Sequence, residues 1–226
     1  MPIGFRILKR KRKVSPAMVK KFAALPVANI SDCMFRVTAG GARLRPYHGG
    51  GTVLCGPALT VKTAPGDNLL THMALNLARP GDVIVVDAGG DLTNAIIGER
   101  MLQYCAVKGF AGVVINGAIR DVAWVRGQKL PVYAAGVTHR GPYKTGPGEI
   151  NVPIALDGMV IEPGDLVIGD DDGLLCIPYD ETAAVLKLAQ AKYKSETETF
   201  DAIGKGDNDR AKWEKLLREL GCEFVK

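Results

Sequence analysis

The chain is short of histidine, of aromatic residues and of closely spaced cysteine, and each shortage closes off a class of chemistry. Its three histidines, His48, His72 and His139, are too few and too scattered to read as a histidine-metal cluster. Five cysteines, Cys33, Cys55, Cys105, Cys176 and Cys222, form no C-x-x-C arrangement, which excludes a disulfide scaffold and a structural zinc site and fits reduced thiols in a cytoplasm. Cys55 and Cys176 lie in apolar runs and read as small core residues. No serine occupies a G-x-S-x-G elbow, and neither a G-x-G-x-x-G fingerprint nor a P-loop is present, although Val83-Ile-Val-Val-Asp87-Ala-Gly-Gly90 looks superficially like a strand entering a phosphate loop. No window approaches 18 apolar residues and no apolar core follows the N-terminal basic run, so neither secretion nor membrane spanning is expected.

What is present is enough for one large domain with a full core: 226 residues, 47% hydrophobic, with mean hydropathy +0.07. The 27 glycines and 13 prolines, many between short Val/Ile/Leu runs, predict many strands joined by tight turns. The net charge of +5 resides in Lys9-Arg10-Lys11-Arg12-Lys13, outside which 24 basic residues face 24 acidic ones. Without interleaved aromatics this run reads as a solvated lead-in rather than a nucleic-acid patch.

Ser15-Pro16 predicts a helix start, with Ala17 to Leu25 following until Pro26, and a second short helix is expected near Ser31-Asp32. Turn-rich Gly40-Gly41 through Gly51 precedes a strand, Thr52 to Lys62, bent at Gly56-Pro57. Asn68 to Leu77 carries helical periodicity, and Pro80-Gly81-Asp82 turns into the strand Val83 to Asp87. The same phrase, Pro163-Gly164-Asp165, leads into Leu166-Val-Ile168 and the acidic tip Asp170-Asp-Asp172, read as a solvated turn. Ala95 to Lys108 is expected to be a helix opening at Gly98-Glu99, followed by the strand Ala111 to Ile115. Leu130 to Ala134 and Gly158 to Ile161 read as short strands around a long loop, Pro142 to Pro153. Thr182 to Lys194 reads as an amphipathic helix, then polar Ser195 to Thr199 and Gly204 to Asn208, then a last helix from Asp209 to Leu220. The expected organisation is a lead-in and helix at 1–25, a catalytic domain at 26–180 and a helical extension at 181–226.

The chemistry concentrates between Gly98 and Asp121. The strand Ala111-Gly-Val-Val-Ile115 is closed by Asn116-Gly-Ala-Ile-Arg120-Asp121, with Glu99 twenty-one positions before Arg120. An adjacent guanidinium and carboxylate at the end of a buried strand are expensive to desolvate, so packing explains them poorly. The Asp can hold a hard divalent cation, and the Arg can clamp an anionic substrate through two parallel hydrogen bonds. Gly98 allows close backbone approach, and the free N–H groups of a helix start can receive a carboxylate or enolate oxygen. The bland alternative is a structural Glu99–Arg120 salt bridge. His72, near Thr71 on a predicted helix, could sit by a site but reads as a surface or packed histidine.

Gly98-Glu99 with Ala111-Gly-Val-Val-Ile-Asn-Gly-Ala-Ile-Arg120-Asp121, together with Gly56-Pro-Ala-Leu-Thr60 and Pro80-Gly-Asp82, resembles the class II 4-hydroxy-4-methyl-2-oxoglutarate/4-carboxy-4-hydroxy-2-oxoadipate aldolase family. That family also includes proteins similar to regulator of ribonuclease activity A (RraA). The likeness spans about Pro26 to Pro178. It implies an α/β fold of the swivelling-domain type, a single compact domain whose layered, β-sandwich-like core is flanked by helices, with helical extensions at both ends. It also implies a homotrimer or a dimer of trimers with sites between subunits. By position, Asp121 would hold Mg²⁺ or Mn²⁺, and Arg120 would bind the pyruvyl oxygens. Gly98, Glu99, Arg100 and Met101 would contact substrate, with N–H groups near Arg100 and Met101 receiving its carboxylate. Glu99 would orient a water of the metal's shell. The implied activity is release of pyruvate from a 2-oxo acid by retro-aldol cleavage, or by decarboxylation of an oxaloacetate-like acid; the alternative is a protein-binding regulator of ribonuclease activity with an idle pocket. The chain departs from the pattern at Trp124, where the family has an acidic residue. A glutamate from a neighbour's C-terminal helix, Glu196 or Glu198, could complete the site.

Overall fold

Two copies of one turn start two of the central strands. In a computed structural model describing residues 3–37, 42–206 and 210–224, Arg79-Pro-Gly-Asp82 leads into β4 (Val83–Asp87) and Glu162-Pro-Gly-Asp165 into β11 (Leu166–Asp170). Each turn has its glycine at positive φ, +82° at Gly81 and +95° at Gly164. The aspartate N–H donates to the carbonyl three residues back at 3.0 and 3.1 Å, and Oδ2 accepts from the N–H of that same residue at 2.9 and 2.8 Å. Both aspartates are buried.

Asp82 corrects the reading of the basic run as a solvated lead-in. Arg10 donates to both its carboxylate oxygens at 2.9 and 2.8 Å, and Lys13 Nζ lies 3.7 Å away. Arg12 pairs with Asp180 at 2.6 Å and Glu162 at 3.2 Å and covers the Tyr179 ring. Three of the five charges therefore fasten the N-terminal segment to the two turns. Arg10 offsets the cost of burying the Asp82 charge, and it stands 72 positions away, beyond the reach of local pattern.

The parallel core of the main sheet is β3 (Leu54–Thr63), β4, β6 (Gly112–Ile119) and β7 (Val132–Val137), with β5 (Ala95–Ile97) beside β6. β8 (Gly148–Ile150) and β1 (Phe5–Ile7) extend it beyond β3, and β2 (Arg45–Pro46) beyond β7. The bend at Gly56-Pro57 is where β3 changes partner: Leu54 to Pro57 pair with β11, which pairs in turn with β12 (Gly173–Ile177), and Ala58 onward pair with β4.

Alternation then sorts the core into layers. Ile84, Val86, Val113 and Ile115 face α3 (Leu69–Leu77) and α4 (Glu99–Val107), contributing to a cluster with Leu70, Ala74, Leu102 and Cys105. Val83, Val85 and Val114 meet Val167 and Cys176 on the other face, joined by the hairpin β9 (Ile154–Leu156) and β10 (Met159–Ile161). The far side of β11 and β12, through Leu166, Ile168, Leu175 and Ile177, packs on α1 (Pro16–Phe22), α2 (Val27–Cys33) and the first turns of α6 (Thr182–Gly204). The result is the expected α/β architecture, two sheet layers with helices outside them. Five free cysteines accompany it, Cys55, Cys105 and Cys176 among the buried residues.

Several elements differ from expectation for tertiary reasons. α1 starts as predicted, Ser15 Oγ accepting from Met18 N, and ends at Phe22. α2 begins directly after Pro26 because Asp170 Oδ2 accepts the Val27 N–H at 3.0 Å. Asp171 accepts from Gly51 N at 3.1 Å, so the acidic tip latches loops and is no free turn. Ala95 to Ile97 form a strand, not the helix start, since all three are buried beside β6. β6 continues past Ile115, with a register shift between Ile115 and Ala118 absorbing Asn116-Gly117. The loop from Pro142 to Pro153 contains β8. α6 runs through Ser195 to Thr199, whose threonine hydroxyls donate to carbonyls one turn back. The turn expected at Gly40-Gly41 and the helix start at Asp209 lie outside the described residues.

By packing, the chain forms units Met1–Ala189 and Gln190–Lys226. The second holds the remainder of α6 and α7 (Ala211–Glu219), where Arg218 pairs with Glu214 at 2.6 Å and Trp213, Leu216, Leu217 and Leu220 are exposed. Glu198 lies on α6, as does Glu196, which pairs with Lys192 at 2.6 Å. No helix among the described residues is long and apolar enough to cross a membrane.

Candidate active site

Parallel pairing of β5 with β6 is what joins two distant sequence segments. Ile97 and Ile119 are register partners, so the next residues, Gly98 and Arg120, emerge together, and Arg120 N donates to Ile97 O at 3.1 Å. Asp121 then turns the chain in the left-handed region, φ +60° and ψ 37°, an uncommon conformation for a side chain other than glycine. That turn brings Asp121 Oδ2 to 2.9 Å from Glu99 N, capping α4 from outside its own sequence. Arg120 Nε lies 3.6 Å from the same oxygen, and the two side chains remain 42% and 40% exposed. No ion pair joins Glu99 to Arg120 among the described residues, so the salt-bridge alternative is not what the structure adopts.

Gly98 makes this approach possible. A Cβ there would overlap Asp121 Oδ2 and lie 2.8 Å from Arg120 Cγ. Among the first three N–H groups of α4, Glu99 donates to Asp121 and Met101 to Gly98 O at 3.1 Å. The Arg100 N–H has no acceptor among the described residues and remains open to a ligand.

All the sequence-selected residues, Gly98 to Met101 with Arg120 and Asp121, line one cavity of about 650 Å³. Its other walls come from β5, from Asn68 and α3, and from the loop carrying Pro142 and Lys144. Sequence reasoning missed Asn68 and Lys144 and set His72 aside. Asn68 is 2% exposed; its Nδ2 donates to Ile96 O at 2.9 Å, while Oδ1 is buried without a partner. Only the burial of the α3 start could have flagged it. His72 is held below its ordinary pKa by partial burial, then by Lys144 and Arg100. Arg100, Arg120 and Lys144 thus outnumber Glu99 and Asp121, and the cavity suits an anion. Trp124, on α5 (Val122–Arg126), packs against the core with Met101 and is absent from the cavity wall.

Burial pushes the Cys55 and Cys105 thiols up to about 12, which leaves them poor nucleophiles. No group of three or more His, Cys, Asp or Glu side chains gathers for a metal among the described residues. A cation here would have Asp121 as its protein ligand, with waters and substrate oxygens completing the shell, a coordination Mg²⁺ accepts readily.

A family model described as RraA-like, Aldolase/RraA, matches residues 27–176. The chain belongs to this family. A relative from Halalkalibacterium halodurans, provisionally named 4-hydroxy-4-methyl-2-oxoglutarate aldolase, is 40% identical over 202 residues, covering 88% of this chain and 95% of the relative. Among solved structures, the RNA-processing inhibitor RraA from Thermus thermophilus superposes with a TM-score of 0.62 at 31% identity, covering 68% of this chain and 92% of that one. An uncharacterized protein from Pseudomonas syringae pv. tomato reaches a TM-score of 0.77 at 25% identity, over 87% and 96%. Cavity, guanidinium and carboxylate thus sit in a family whose members bear both an aldolase name and an inhibitor name.

Proposed function

We propose that this Aldolase/RraA family member is a divalent-metal-dependent lyase that releases pyruvate from a 2-oxo acid bearing a second carboxylate. The carrying observation is convergence: the Arg120 guanidinium, the Asp121 carboxylate and the open Arg100 N–H line one cavity with a positive excess. In the retro-aldol direction the substrate's 4-hydroxyl loses its proton, the C3–C4 bond breaks, and its electron pair moves onto the 2-oxo oxygen as the pyruvate enolate. Protonation of C3 then gives pyruvate. Arg120 holds the 2-oxo and carboxylate oxygens by its planar fork, and the Arg100 N–H receives the carboxylate. Glu99, exposed at the start of α4, orients the water that takes the hydroxyl proton. Mg²⁺ or Mn²⁺ on Asp121 would supply positive charge at the developing enolate, worth several kcal/mol, beside about 3–4 kcal/mol for one well-aimed donor.

Decarboxylation of an oxaloacetate-like acid shares the enolate and needs no hydroxyl deprotonation. Glu99→Gln should therefore impair aldol cleavage more than decarboxylation. A coupled pyruvate assay over a panel of 2-oxo acids with Mg²⁺, Mn²⁺ and chelator tests the reading. No pyruvate from any acid under either metal would overturn it in favour of a ribonuclease-binding regulator, an alternative kept alive by Trp124. A homo-oligomeric state, trimer or dimer of trimers, accords with the exposed apolar row Leu69, Met73 and Leu77 on α3, next to the cavity. Five free cysteines accord with a cytoplasmic setting.

A further inference from the structure

We propose that Asp67 is a positioning residue that fixes Lys144 in the cavity wall and so sets the preference for a ligand with two carboxylates; this rests on the function proposed above. Residues 143–146 run alongside residues 66–69. Tyr143 N donates to Gly66 O at 2.8 Å and Asn68 N to Tyr143 O at 3.0 Å, which anchors the loop before Lys144. Asp67 anchors it afterwards: its Oδ2 accepts from Thr145 N at 2.6 Å, Gly146 N at 2.9 Å and Thr145 Oγ1 at 3.2 Å. Its Oδ1 accepts from Leu69 N at 2.8 Å, tying the same carboxylate to the first turn of α3. Lys144 is thereby bracketed on both sides.

Asp67 is 2% exposed, and no cation among the described residues pairs with it. Burial pushes its pKa up, but donation from Leu69, Thr145 and Gly146 outweighs this and leaves the carboxylate below its usual range. Lys144 pairs with no carboxylate of the described residues, and its charge helps depress His72, which lines the same cavity. An unpaired ammonium on a rigidly held loop, facing the cavity that also holds Arg120, is placed to receive the far carboxylate of a diacid. An asparagine at 67 keeps one acceptor oxygen, so its NH2 must meet either the Leu69 N–H or the Thr145 and Gly146 donors, and the tie between α3 and the loop is lost.

The test is calorimetric binding of two probes in the presence of Mg²⁺: pyruvate, with one carboxylate, and 2-oxoglutarate, with two carboxylates and no 4-hydroxyl to support cleavage. Lys144→Ala should weaken 2-oxoglutarate about tenfold and pyruvate less than about threefold. Asp67→Asn should show the same selectivity, and the double variant should be no weaker than Lys144→Ala alone. Should Asp67→Asn fail to fold by circular dichroism, Thr145→Val, which removes one donor, should give a smaller loss of the same selectivity. Equal weakening of both probes, additive losses in the double variant, or unchanged binding would each overturn the proposal. Wild-type protein that binds neither probe refutes both this inference and the proposed function. Selective binding with no pyruvate released from any 2-oxo acid refutes the activity and leaves the role of Asp67 standing.

Discussion

Replacing Gly98 with alanine tests whether the meeting of Arg120 and Asp121 is functional. Gly98 has φ −152° and ψ −168°, extended backbone open to any residue, so backbone strain does not enter. The added methyl is the whole perturbation. It would overlap Asp121 Oδ2 and crowd Arg120 at 2.8 Å from Cγ and 3.1 Å from Nε. Both side chains are about two-fifths exposed and can swing outward, so overpacking should cost about 1–3 kcal/mol. Reduced freedom of the unfolded chain offsets about 0.4–1 kcal/mol of that, leaving a net loss of about 1–2 kcal/mol by denaturant titration. Catalysis has no such escape, because the outward swing removes the guanidinium fork and the α4 cap together. Loss of one oriented donor lowers rates by about 10²–10³, so kcat/KM in a coupled pyruvate assay should fall at least 10²-fold in protein that remains folded. Activity within about threefold of wild type would refute the assignment of Arg120 and Asp121 to the reacting centre.

Arg120→Lys, which keeps the charge and loses the fork, should lower kcat/KM by about 10² or more, and a near-normal rate would contradict a bidentate clamp. Arg10→Ala strips the fully buried Asp82 of its two-pronged partner and should destabilise the fold by about 3 kcal/mol, seen as a lowered denaturation midpoint with pyruvate release per folded molecule unchanged. His72 should titrate below the ordinary histidine value, because burial and then Lys144 and Arg100 disfavour its charged form. The unfolded chain then binds the proton more readily, so His72 subtracts stability as pH falls through the unfolded value and contributes no penalty above it. A dianion bound against Lys144 and Arg100 should raise the His72 pKa, followed by NMR of the three imidazoles; an unchanged or lower value would place the anion elsewhere.

How much was legible beforehand follows from how local each cause is. The two Pro-Gly-Asp turns and the Ser15 cap act within three or four residues, and their strands and helix could be read directly. Gly98, Glu99, Arg120 and Asp121 stood out as a candidate site because a charged pair closing a buried strand is hard to explain by packing, and the four line one cavity. Their meeting depends on the β5–β6 pairing, and β5 itself was hidden: Ala95-Ile96-Ile97 is too short to show alternation and directly precedes a real helix. Arg10 with Asp82 and Asp170 with Val27 span 72 and 143 positions, which local pattern cannot reach. Asn68 and Lys144 drew no attention because one begins an ordinary amphipathic helix and the other sits in a glycine- and proline-rich loop.

The same geometry weighs enzyme against regulator. Asp121 adopts a left-handed backbone that costs a residue with a side chain about 1–3 kcal/mol, and it is only partly offset by one N–H donor at 2.9 Å. A surface that works by docking a protein gains nothing from holding an exposed carboxylate this way beside a guanidinium at 3.6 Å. A site that must offer a hard oxygen to a cation and a planar fork to an oxo acid gains both. If strain serves that purpose, Asp121→Gly should relax the turn and raise the denaturation midpoint or leave it unchanged, while abolishing metal stimulation of pyruvate release. A variant that instead loses stability and keeps its metal response would mean that Asp121 serves the fold, and the regulatory reading would then be the better one.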